Sequence, residues 1–162
     1  VKSIVVKSLD IYHIMQVIVF QAPDNPTRVA IMTPTGEVEI DELVTRYIDT
    51  SKPYKIMSTA DFPHQDGDYS EAWQLVNDAL VVNMDNAKEA HRNKLRVQRT
   101  ERFAILDIDF MRAVEQADTA KQQEIAAIKQ KLRDMPAHPS IAAATTTAEL
   151  RALTMDALLA LV

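Results

Sequence analysis

The feature that most constrains this chain is a run without helix breakers: from Met84 to Gln116 no residue is glycine or proline. Such a run predicts one continuous helix, with Asn83 placed to cap it. At 1.5 Å per residue, roughly 30 residues extend about 45 Å, more than a small domain is wide, so part of the helix must project or meet another chain. Leu95, Phe103, Leu106, Phe110, Val114 and Ala117 form one apolar stripe along it. Asp118 or Thr119 can cap a second helix in which Ile125, Ile128, Leu132 and Met135 recur at helical intervals. Two such stripes joined by the short link "QADT" read as an antiparallel helical hairpin with a coiled-coil-like seam. The prolines of "MPAHPS" end it, and a last helix starts at "TTAEL", where Thr146 and Glu149 have capping-box spacing. Leu150, Leu153, Leu158 and Leu161 make this carboxyl-terminal helix too apolar to stand free, so it folds back or docks on a partner.

Ahead of the long helix the pattern changes to short β-branched runs, "SIVV", "QVIVF", "RVAIM", "YKIM" and "ALVV", separated by turn residues. "QAPDNPT" predicts a hairpin turn between the second and third of them, and Gly36 serves the turn "TPTGE". "IDELVTRYI" places Leu43, Tyr47 and Ile48 at helical spacing and predicts a short helix crossing a small sheet. The expected fold is therefore α+β: a β-rich domain over residues 1–82 with one short helix, a helical hairpin over 83–136 and a carboxyl-terminal helix over 137–162, as one structural unit with two parts. Charge divides the chain near the same point. Residues 1–85 hold six Lys/Arg and thirteen Asp/Glu, whereas residues 86–162 hold twelve and ten.

Composition removes several classes of function. With 47% hydrophobic and 25% charged residues the 162-residue chain folds rather than staying disordered. It has no cysteine, hence no disulfide, thiolate ligand or thiol nucleophile. Two glycines exclude GxGxxG and Walker phosphate loops. The longest apolar runs, Ile14–Phe20 and Ala157–Val162, are far shorter than the roughly 20 residues of a membrane helix, so a soluble protein is expected. Val1 suits an alternative start codon better than a signal peptide, because Asp10 and His13 interrupt the apolar pattern.

The stretches that could carry chemistry are few. "FPHQDGDYSEAW", residues 62–73, clusters Asp66, Asp68 and Glu71 around Gly67, yet it lacks the alternating ligands and terminal bidentate glutamate of a calcium loop. A solvated turn is expected there, with no metal bound tightly and Trp73 as a core anchor at the seam between the two parts. His13, His64, His91 and His138 lie far apart and form no catalytic pair, so neither a catalytic residue nor a cofactor site is assigned. "KEAHRNKLRVQRTER", Lys88–Arg102, holds six basic residues against Glu89 and Glu101. In a chain of net charge −5 it reads as a solvated face, or as a dock for the acidic amino-terminal part of a second copy, before it reads as a nucleic-acid stripe.

The order of "YSEAWQL", "VVNMDNAKEAHRNKLR", "FAILDIDFMRAVEQADTAKQQEIAAIKQKLRDM" and "AAATTTAEL", preceded by "MQVIVF", "RVAIMTPTGEVEIDEL" and "PYKIMSTADFP", resembles a family of small proteins encoded near tail and tail-fibre genes of tailed bacteriophages and prophages. The resemblance spans Met15–Leu153. It implies that the acidic stretch is a joint, and it brings no catalytic residues with it. Two departures stand out: the family begins near Met15, and it often has glycine where this chain has Ala117, which a helix can accommodate by ending without a left-handed residue. The function implied is that of a structural virion protein of the tail or tail-fibre attachment region, not an enzyme. It would contact other tail or fibre subunits, as a homo-oligomer or within a multi-protein assembly, after assembly in the host cytoplasm. The surfaces expected to make those contacts carry Leu95, Phe103, Leu106, Phe110, Leu150, Leu153, Leu158 and Leu161. The alternatives are a tail-fibre assembly chaperone that leaves before the particle is complete, a hydrolase or nucleic-acid-modifying enzyme, and a nucleic-acid packaging protein acting through the basic helix.

Overall fold

The computed structural model describes residues 15–161. The expected strand "SIVV", the histidine at position 13 and the final valine lie outside the described residues. The chain divides into two compact units, 1–83 and 84–162, each with its own packing. A β-rich amino-terminal region with two small sheets thus precedes a mostly helical carboxyl-terminal part, an α+β arrangement.

The first unit is built around β1 (Gln16–Ala22), the centre of a three-stranded antiparallel sheet. Its neighbours are β2 (Asn25–Met32), with Ile18 opposite Met32, and β3 (Tyr54–Ser58), with Ile18 opposite Ile56. Alternate residues of a strand point to opposite faces. Val17 and Val19 accordingly pack with Met57, Trp73 and Leu80, while Ile18 packs with Val44 and Ile48. Because both faces of β1 are covered, it reads as a continuous apolar run rather than an alternating one.

One cover is α1 (Ile40–Tyr47), the short helix expected from "IDELVTRYI". It buries Val44 and the following Ile48, whereas Tyr47, expected on the inner face, is 58% exposed. Helical geometry puts positions 44 and 48 on one stripe and turns 47 away from it.

The other cover is a two-stranded hairpin of β4 (Trp73–Val76) and β5 (Ala79–Val82). β4 is absent from the expected strands. Asn77 and Asp78, with φ of 49° and 64°, form its two-residue turn, as a primed hairpin turn requires. Gly36 also sits at positive φ, 86°, where glycine is unstrained.

In the second unit α2 (Met84–Glu115) runs for 32 residues, about 48 Å. Its end is a Schellman motif: Asp118 N–H donates to Ala113 O at 2.9 Å and Ala117 N–H to Val114 O at 3.0 Å, with Ala117 left-handed at φ 56°. The chain therefore does turn through a left-handed residue here, using alanine, contrary to the expectation that it would avoid one. α3 (Thr119–Asp134) follows at once, capped by the Asp118 carboxylate, which accepts from Lys121 N–H at 2.9 Å.

Beyond a 3₁₀ turn at Met135–Ala137, the carboxyl-terminal region holds three short helices where a single short one was expected: α4 (Pro139–Ala143), α5 (Thr147–Ala152) and α6 (Met155–Ala160). Thr146 and Glu149 form the expected capping box of α5. Thr154 then breaks the run, because its side chain accepts from Ala157 N–H and starts α6 afresh. Residues 137–161 belong to the same compact unit as α2 and α3.

Candidate interaction surfaces

The contacts between α2 and α3 advance in opposite directions along the two helices. Gln122 Nε2 donates to Ala113 O at 3.2 Å, Lys129 Nζ meets Asp107 at 2.6 Å, and Arg99 donates to the carbonyls of Leu132 and Arg133 at 3.1 and 2.9 Å. Between these ties lie Ile125 and Leu132, each at most 2% exposed. Lys129 Nζ also sits 4.8 Å above the Phe110 ring and the Arg133 guanidinium 5.9 Å from the Phe103 ring, so both cations lie over aromatic faces. Phe103, Leu106 and Phe110 are half-buried on this side of α2. Two members of the expected stripe fall elsewhere. Val114 is 45% exposed and Ala117 lies past the helix end; buried Ala113 takes the inner position.

Of the residues expected to face partners, Leu95, Leu150 and Leu158 are at most 1% exposed and serve the interior of the helical unit. They are core residues, because the three short helices fold back and fill their own unit. Leu153 is half-buried, and only Leu161, 62% exposed, is open to contact. Buried His91 links the break between α5 and α6 to α2, its Nε2 lying 3.0 Å from Leu153 O as a donor.

The basic run on α2 is largely engaged within its own unit. Lys88 donates to Ala142 O at 2.8 Å, Arg92 and Arg96 both pair with Glu89, and Arg102 reaches Asp156 at 3.9 Å. Arg99, read from sequence as part of a solvated face, instead satisfies carbonyls at the carboxyl end of α3, where a cation is favoured by the helix dipole. The hydrogen bond from Arg96, helped by Arg92, holds the Glu89 carboxyl below its ordinary range.

The acidic stretch folds as successive 3₁₀ turns over Thr59–Asp61 and His64–Ala72. It is more than a solvated loop: Tyr69 and Ala72 are at most 1% exposed, and His64 Nε2 lies 2.8 Å from Thr59 O. Trp73 meets Phe62 edge-on at 5.4 Å and packs with Val17, Val19, Met57 and Leu80, a core anchor as expected. No group of three His, Asp or Glu side chains converges as a metal-binding cluster among the described residues. Nor is any described helix long and apolar enough to cross a membrane.

Sequence reasoning overlooked a second stripe on α2. Val97, Ile105, Ile108 and Met111 are 72%, 55%, 56% and 58% exposed. Their own spacing of eight, three and three residues was the available signal, masked by the other stripe on the same helix. Val97, Ala104, Ile108 and Met111 fall on the side of the helix opposite Leu95, Leu106 and Ala113, at 100° per residue. α2 is thus apolar on two sides, one covered by α3 and the carboxyl-terminal helices, the other facing solvent. No family model, curated protein or solved structure matches this chain.

Proposed function

We propose that this chain is a structural virion protein of a tailed bacteriophage, in the tail or tail-fibre attachment region, acting by protein–protein interaction. In this reading α2 and α3 are a long antiparallel hairpin that presents an interaction face to neighbouring tail or fibre subunits, with Leu161 extending the contact at the carboxyl end. The observation that carries it is the exposed apolar stripe of Val97, Ile105, Ile108 and Met111, since exposed large apolar residues gathered on one face mark contact surfaces. The phage context comes from the order of sequence signals between Met15 and Leu153.

Mass spectrometry of purified particles tests the reading. The expected result is this chain in intact virions at a fixed ratio to tail subunits. Its absence from particles, with abundance in infected cells, overturns virion membership and supports the assembly chaperone instead.

A further inference from the structure

The exposed side of α2 has the pattern of a helix that pairs with its own copy. Val97 and Met111 stand seven residues to either side of Ala104, so a two-fold axis at Ala104 brings Val97 of one chain against Met111 of the other. Ala104, exposed and small, lets the two backbones approach at the crossing.

Charge selects the direction. At 100° per residue, the charges on the outer half of α2 are Lys94 and Arg96 against Glu101 in residues 93–103, and Asp107 and Glu115 against Arg112 in residues 105–115. An antiparallel pair sets each basic half beside an acidic half, whereas a parallel pair would stack like on like. Several of these side chains already hold partners in their own chain, as Asp107 does with Lys129, yet their net charge still biases the encounter.

We infer that the outer face of α2, centred on Ala104 and lined by Val97, Ile108 and Met111, is a homodimer interface that joins two copies antiparallel through a two-fold axis. The inference does not depend on the particle to which the chain belongs.

Sedimentation equilibrium of the full chain should show a dimer at micromolar concentration. Ile108→Glu places a charge in the apolar seam and should weaken dimerisation by about tenfold or more, with an unchanged far-UV circular dichroism spectrum. Gln123→Glu, on the exposed side of α3, should leave association unchanged.

Because the natural chain lacks cysteine, engineered thiols report the direction without background. Ala104→Cys should oxidise to a covalent dimer. Val97→Cys should not do so alone, but should cross-link with Met111→Cys in a mixed sample. A monomeric wild-type chain, or a dimer indifferent to Ile108→Glu, overturns the interface. Efficient self-cross-linking of Val97→Cys with no mixed product overturns the antiparallel arrangement.

Discussion

Leu132→Ala is the sharpest probe of the packing between α2 and α3. Leu132 is 1% exposed, and Arg99 of α2 holds its carbonyl at 3.1 Å, so the site is closed on the side-chain and backbone sides alike. Truncation removes three carbons. At about 0.8 kcal/mol for each buried methylene, the transfer loss alone is about 2.4 kcal/mol. The residual cavity adds to this, because the surrounding helices relax only in part, which brings the expected cost to about 3 to 4 kcal/mol. In urea unfolding followed by far-UV circular dichroism, an m value of about 2 kcal/mol/M turns that cost into a midpoint about 1.5 to 2 M lower. Val114→Ala is the paired control. Val114 belongs to the stripe read from sequence but is 45% exposed, and its truncation should cost less than about 1 kcal/mol. A Leu132→Ala cost below about 1.5 kcal/mol, or an equal cost at Val114, would refute the seam that runs through Ala113 and Leu132.

Two further perturbations test local chemistry. Ala117 holds a left-handed conformation at φ 56°, so Ala117→Gly should stabilise the chain by about 0.5 to 1 kcal/mol; a lower thermal midpoint would show that the Schellman turn is not formed as described. The Glu149 carboxylate accepts from Thr145 N–H at 2.6 Å, Thr145 Oγ1 at 3.1 Å and Thr146 N–H at 3.3 Å, and the Thr145 backbone bond is the largest cause holding its carboxyl below the ordinary value. A lowered folded-state value means that this contribution is present above the unfolded carboxyl value and is lost as pH falls through the folded one. Glu149→Gln should therefore flatten the acid side of the thermal-midpoint profile, an effect that an unchanged slope would disprove, while Thr146→Ala should lower stability by about 1 kcal/mol through loss of the cap.

Local chemistry in the sequence was enough for features that depend on neighbours along the chain. The absence of glycine and proline between Met84 and Gln116 set the length of α2, because nothing in that run interrupts helical hydrogen bonding. Asp118 and the Thr146–Glu149 pair were legible as caps, since a cap joins residues two or three apart. The β-branched runs at β1, β2, β3 and β5 were legible for the same reason. β4 was not, because "WQLV" follows an acidic stretch and gains strand character from its pairing with Ala79–Val82.

Tertiary structure alone decided which side of each amphipathic element is inside. Period and composition do not distinguish the two apolar sides of α2; the return of α3 and the folding back of α4, α5 and α6 cover Leu95 and Ala113 and leave Val97, Ile108 and Met111 outside. The same holds for Leu150 and Leu158, read as contact residues while the sequence left open whether their helix folds back or docks on a partner. Once Thr154 splits that helix, the short pieces turn and bury both leucines. Burial depends on which segments, far apart in sequence, come to rest on one another, and a residue's own pattern records only that some apolar surface must find cover.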